Sequence, residues 1–131
     1  MPIVSVLIAT YNRAEWLAQA IGSVRAQTFT DWELIIVNDG STDGTRAWLD
    51  RLASEDARVR PIHQDNRGLA AARNAGIRVA TGTYLAIIDD DDAWMPEKLE
   101  KQIHERRSLQ NQLREVIKSL KLLAKVKPKN A

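Results

Sequence analysis

Apolar positions along this chain follow two alternating patterns. Residues 3–9 (IVSVLIA) and 32–38 (WELIIVN) are near-continuous apolar runs with many β-branched residues, which predicts strands covered on both faces. Between them, Trp16, Leu17, Ala20, Ile21 and Val24 recur at helical spacing. Asn12 is placed to cap that helix, with Glu15 three residues on as a capping-box partner. After the second run comes the turn cluster DGSTDG, in which Gly40 and Gly44 offer permissive φ. A short helix follows, with Trp48, Leu49 and Leu52 on one side. Residues 58–64 (RVRPIHQ) predict a third strand, and Pro61 puts it at a sheet edge or a strand end. Asn66-Arg67-Gly68 opens a helix that runs to about Ala80 and is ended by Gly82, and residues 83–89 (TYLAIID) form the fourth strand. Trp16, Trp32 and Trp48 fall at core-like positions, whereas Trp94 lies beside an acidic cluster.

Strand and helix alternate throughout. That order implies right-handed βαβ units, an α/β fold and a mainly parallel sheet with helices on both faces. Ligands of such sheets bind beyond the carboxyl ends of the strands. Three polar clusters fall at those ends: residues 10–13 (TYNR), 38–41 (NDGS) and 89–92 (DDDD).

Composition narrows the classes. A chain of 131 residues has room for one core, and 27% charged residues is ordinary for a globular domain. Without cysteine there are no disulfides and no thiolate metal sites. No apolar run reaches the roughly 18 residues of a membrane span, and the first segment lacks the basic start of a secretory signal. The formal charge of +2 is too small to argue for nucleic acid, but it hides an asymmetry. Residues 1–96 hold nine Arg and no Lys against thirteen Asp or Glu, a net −4, while residues 97–131 hold seven Lys and three Arg against four Glu, a net +6. All six Gly lie at or before Gly82. The chain therefore reads as a body over 1–96 and a basic helical tail over 97–131, too short for a core of its own.

Asp89, Asp90, Asp91 and Asp92 are adjacent carboxylates at a strand end, and their repulsion needs an offset. A hard divalent cation with a phosphate ligand would supply one; a charged turn capping the helix after Pro96 is the alternative. There is no G-x-G-x-x-G after the first strand and no P-loop, and an EF-hand starting at Asp89 would lack its glycine. Asp39 can accept a hydrogen bond from a nucleobase imide or serve as a turn residue. Tyr11 can stack on a base or cover the sheet end. Arg67 and Arg73 have planar forks that match diphosphate, against the alternative of solvated surface arginines. His63 and His104 read as structural or surface residues.

Taken together, the stretches VSVLIATYNRAEWLAQAIGSVRAQTFTDWELIIVNDGSTDGT and DNRGLAAARNAGIRVATGTYLAIIDDDDAWMPEKL resemble the nucleotide-sugar-binding half of a family 2 glycosyltransferase of the GT-A fold. The resemblance covers residues 3–99, about three-quarters of the chain. It implies that Thr10, Tyr11 and Arg13 line the base pocket and that Asp39 binds the base, most often uracil. Arg73 then lies near the donor's phosphates or ribose, with Arg67 also on the donor. The D-x-D signature falls on Asp89-Asp90-Asp91, and Asp92 extends it. Asp91 is the first candidate metal ligand and Asp89 the second, and Asp89 and Asp90 serve the donor or the metal's surroundings. The implied cofactor is Mg²⁺ or Mn²⁺. The implied reaction moves a sugar from a nucleotide-diphosphate donor to an acceptor hydroxyl of a saccharide, lipid or protein, with inversion. The implied location is cytoplasmic, where nucleotide sugars are made, with the inner membrane surface as the variant.

The chain departs from the family beyond Asp92. The acceptor half and its catalytic base are expected there, yet the only carboxylates are Glu97, Glu100, Glu105 and Glu115, all in one predicted helix. The expectation is of a truncated transferase, with a non-catalytic donor-binding module or an oligomerising interaction protein as alternatives. The tail predicts a helix from Pro96 to about Val126. Leu109, Leu113, Val116, Leu120 and Leu123 give a heptad seam over about two heptads. It can pack on the body, pair with a second copy, or lie on an anionic membrane through Lys118, Lys121, Lys125, Lys127 and Lys129.

Overall fold

The structure, a computed structural model, describes residues 1–124, with side chains through Leu122. Its elements are β1 (Val4–Thr10), α1 (Ala14–Arg25), β2 (Trp32–Asp39), α2 (Thr45–Glu55), β3 (Val59–Gln64), α3 (Leu69–Val79), β4 (Tyr84–Ile87) and α4 (Lys98–Ala124). The four strands form one parallel sheet in the order β3-β2-β1-β4. Lys125, Lys127, Pro128 and Lys129 lie outside the described residues, as does the side chain of Leu123.

The two apolar runs become the central strands because both of their faces are covered. Val4, Val6 and Ile8 of β1 and Leu34 and Ile36 of β2 face Leu17, Ile21 and Val24 of α1, Leu49 and Leu52 of α2, and Leu99 and Ile103 of α4. Leu7, Ile35 and Val37 point the other way, against Ala72 and Ala75 of α3. Each such buried Leu, Ile or Val contributes about 1.5–3 kcal/mol of transfer free energy. Small residues let α3 sit close: a Cβ on Gly76 would collide with the Leu7 side chain. Pro61 is accommodated because β3 pairs with β2 alone, an edge position in the described sheet.

Several local expectations are corrected. Asn12 does not cap α1. It has a positive φ of 51°, its side-chain oxygen accepts from the backbone of Thr42 and Asp43, and the residue before the helix is Arg13. No capping box with Glu15 forms, because Asn12 is drawn across to the 42–43 turn instead. Trp16 is not core. It is 54% exposed, one position round the helix from buried Leu17, whereas Trp32 is buried and Trp48 packs against the core's margin. Gly44 has an ordinary negative φ, so within DGSTDG only Gly40, at +79°, needs glycine's freedom. The helix expected from Asn66 starts at Leu69, and β4 is four residues rather than seven. After Ile87 the chain turns into the acidic cluster, and Ile88 is buried on the α1 face.

The start of α4 is fastened to the body. Gln27, buried after α1, donates to the Met95 carbonyl at 2.7 Å and accepts from the Leu99 amide at 3.0 Å. The helix begins at Lys98 rather than Pro96, whose carbonyl instead accepts from the Thr28 amide. Beyond Ile103 the Tyr84 hydroxyl still donates to Gln110 at 3.2 Å, while Leu109, Leu113, Val116 and Leu120 are exposed.

At the opposite end of the sheet from the polar clusters, Glu33 closes the amino-terminal edge. It accepts from the Ser5 hydroxyl (2.7 Å), the Thr81 amide (2.8 Å) and Arg60 (2.6 Å). Burial alone would push its carboxyl up, but these donors outweigh burial and hold it at about 2.

Candidate functional site

All three polar clusters meet at the carboxyl ends of the strands. They border a cleft of about 520 Å³ lined by Ala9, Thr10, Tyr11, Arg13, Asp39, Leu69, Ala72, Arg73, Asp89, Asp90 and Asp91. The parallel order puts β1 beside both β2 and β4, so residues 10–13, 39 and 89–91 become neighbours though they are far apart in sequence.

Asp90 is the buried member of the acidic run, 7% exposed. One oxygen accepts from the Thr10 hydroxyl at 3.0 Å and the other from the Arg13 guanidinium at 3.0 Å. The hydrogen bond to Asp90 and the charges of Asp90 and Asp91 raise the Arg13 pKa against the opposing effect of burial. Asp90 therefore ties the end of β4 to the end of β1 and leaves its neighbours facing out. Asp89, Asp91 and Asp92 are exposed, and each can bring a carboxylate oxygen within 4.8 Å of the others. Asp92 was noted in the sequence only as an extension of the motif; its place in this trio depends on the turn geometry after β4. Arg13 also reaches Asp91 at 3.6 Å.

Asp39 is buried at the end of β2. Burial would raise its pKa, but donors from Gln64 (2.9 Å) and the backbone amides of Arg67 (2.8 Å) and Gly68 (2.9 Å), with the Arg67 charge, lower it. Oδ1 takes two of these bonds and Oδ2 takes one, so Oδ2 keeps an acceptor position beyond these bonds, in a residue that lines the cleft. The arrangement fixes the 66–68 loop, where Gly68 has φ +96°. It also requires Gly40, because a Cβ there would lie 2.6 Å from the Asn66 nitrogen. Gln64 had no mark in the sequence; only the β2–β3 register, which pairs it with Asp39, brings it here.

Arg73, on the cleft-facing side of α3, donates to Asp89 at 3.0 Å. Tyr11 is exposed at the rim. Arg67 contributes its backbone amide to Asp39, while its side chain lines an adjoining polar cleft with Asn38, Ser41, Arg46 and His63. His63 is held there between Asn38 and Asp50.

The arrangement offers apolar lining from Ala9, Leu69 and Ala72, an acceptor at Asp39, a cation at Arg73 and an outward trio of carboxylates. These are the chemical counterparts of a base, a phosphate and a hard cation.

Residues 5–121 match the family described as "Glycosyl transferase family 2". Among similar curated proteins, an uncharacterised glycosyltransferase of Nostoc sp. is 46% identical over 99 residues, which are 75% of this chain and 31% of that protein. The putative teichuronic acid biosynthesis glycosyltransferase TuaG of Bacillus subtilis is 42% identical over 103 residues, 78% of this chain and 41% of that one. Among solved structures, the mannosyltransferase PcManGT from Pyrobaculum calidifontis in complex with GDP-Man and Mn²⁺ aligns with a TM-score of 0.65 at 31% identity, over 71% of this chain and 28% of that one. S. aureus TarS 1-349 in complex with UDP-GlcNAc aligns at 0.71 and 24% identity, over 77% of this chain and 30% of that one, a likeness of fold. This chain thus spans 31% and 41% of the length of the two curated relatives.

Proposed function

The chain belongs to glycosyl transferase family 2, and we propose that its cleft binds a nucleotide-diphosphate sugar, with a divalent cation, for transfer of the sugar to an acceptor hydroxyl. The observation that carries the reading is the separation of the acidic run into one buried member, Asp90, and three exposed ones, Asp89, Asp91 and Asp92.

An all-oxygen trio of this kind suits Mg²⁺ or Mn²⁺, which take carboxylates together with substrate phosphates. Asp91 and Asp89, with Asp92 beside them, would hold the ion. When bound, it supplies charge that offsets the negative charge developing on the leaving diphosphate. The Mn²⁺ in the mannosyltransferase complex supports this choice. Asp39 accepts from the base through Oδ2, and Tyr11 stacks on the base at the rim. Thr10 and Arg13 act through Asp90, holding the acidic turn in register with the cleft. Arg73 exchanges Asp89 for a donor phosphate oxygen, for which its planar fork is suited.

In the reaction the acceptor oxygen attacks the anomeric carbon in line, the bond to the diphosphate breaks, and the acceptor proton passes to a general base. The outcome is inversion. None of Glu97, Glu100, Glu105 and Glu115 lines the cleft, so the base is assigned to none of them.

Uracil is the base that the sequence resemblance favours, and guanine is the competitor raised by the GDP-mannose complex. Calorimetric titration of the chain with UDP and GDP, each with and without Mn²⁺, tests the reading. It expects metal-dependent binding, tighter for UDP. Equal affinity with a chelator present would remove the metal from the account, and no binding by the folded chain would remove the donor.

A further inference from the structure

Past Ile103, α4 is an amphipathic helix that the body touches through Tyr84, whose hydroxyl donates to Gln110 at 3.2 Å, and through the groove that Leu109 shares with β4, and whose leucines beyond stay exposed. At about 100° per residue, Leu109, Leu113, Val116, Ile117 and Leu120 fall within one arc of about a quarter-turn. All five are exposed, Leu109 by 61% and Leu120 by 60%. Leu122 lies outside that arc. Arg107, Arg114, Lys118 and Lys121 form a second stripe along the helix, spaced 7, 4 and 3 residues. Between Arg107 and Lys121 the only acid is Glu115, which meets Lys118 at 3.4 Å in a solvated pair of little weight, and Glu105 lies nearer the body. No helix among the described residues is long and apolar enough to cross a membrane.

We propose that the exposed face of α4 docks the protein on an anionic lipid surface, with the apolar arc at the acyl boundary and the basic stripe toward the headgroups. An apolar face flanked by Lys and Arg, on a helix of low overall hydrophobicity, is the pattern of helices that lie in the interface plane. The long basic side chains can snorkel from the flank of the apolar arc to the phosphates. Charge complementarity favours this occupant over a second copy. Two α4 helices seamed on their leucines would flank the seam with Gln110, Gln112, Ile117 and Ser119, which offer no opposite charges to pair. They would also add two like-charged stripes to one assembly. The inference stands apart from the proposed transfer reaction, since none of these residues lines the donor cleft.

Flotation of the full chain with phosphatidylcholine vesicles, with and without phosphatidylglycerol, tests it. Partitioning to the anionic vesicles is expected to be at least about tenfold stronger and to weaken with salt. The double variant Lys118→Glu/Lys121→Glu should abolish the preference, and Leu113→Ser/Leu120→Ser should abolish binding. All four positions are solvated, so circular dichroism should show both variants folded like the parent. Equal partitioning to the two vesicle types, or no partitioning, overturns the proposal. So does a leucine-dependent dimer in sedimentation velocity without vesicle binding, which would give the face to a second copy.

Discussion

The Thr10 hydroxyl donates to the Asp90 carboxylate at 3.0 Å, joining the end of β1 to the acidic turn across 80 residues of sequence. Asp90 spends its other oxygen on Arg13. Of four identical neighbours, this one is committed to holding the site together. Asp90→Asn should therefore lower thermal stability, by about 1–3 kcal/mol, because the buried Thr10 hydroxyl and the half-exposed Arg13 lose a charged acceptor that is itself buried. Donor affinity should fall with it. Asp91→Asn should leave the melting temperature near that of the parent while removing the metal dependence of nucleotide binding. Paired thermal melts and titrations of the two variants check the contrast.

Asp39 and Gly40 make a second pair of roles at one turn. Gly40→Ala would place a Cβ 2.6 Å from the Asn66 nitrogen and hold a side chain at φ +79°. It should destabilise the protein by about 1–3 kcal/mol. It should also weaken nucleotide binding by displacing the 66–68 loop from Asp39. Gly44→Ala, where φ is negative and the added Cβ meets open space, should do neither. Chemical denaturation of both variants reads the difference.

Glu33 predicts an acid limb to stability. Its carboxyl titrates at about 2 in the fold against an ordinary value of 4.5. A lowered folded value means that the stabilisation is present above about pH 4.5 and is lost as pH falls toward 2. The amount is on the order of 2–3 kcal/mol. In Glu33→Gln the stability difference from the parent should shrink across that window, as measured by denaturant midpoints between pH 5 and pH 2.5.

Arg73→Lys should weaken donor binding several-fold without a change in stability, since Arg73 makes a single exposed contact to Asp89. Calorimetry with UDP in the presence of Mn²⁺ measures the change.

The parts of this fold that were legible in sequence are those where one physical demand dominates. β1 and β2 are covered on both faces, so their middles are near-continuous apolar runs, and of the two places Pro61 could mark, an edge or a strand end, the structure shows the edge. The convergence of residues 10–13, 39 and 89–91 followed from parallel connectivity alone. What was not legible depends on contacts between distant residues. Nothing in DDDD distinguishes Asp90 until Thr10 and Arg13 arrive beside it. Asn12 has a cap's chemistry, but the 42–43 turn competes for its side chain and wins. Gln64 acquires its role from strand register. Trp16 satisfied helical spacing but sits at the edge of the buried arc, where one residue's rotation turns an indole out to solvent.

The central claim is that Asp89, Asp91 and Asp92 hold a cation against a donor's diphosphate. Phosphorus magnetic resonance of UDP bound to the chain tests it most directly, because Mn²⁺ broadens only phosphates close to it. The account predicts strong broadening with the parent chain at Mn²⁺ levels that leave free UDP sharp, and its loss in Asp91→Asn. Bound UDP whose resonances stay sharp in the parent, or broaden equally in Asp91→Asn, would contradict it.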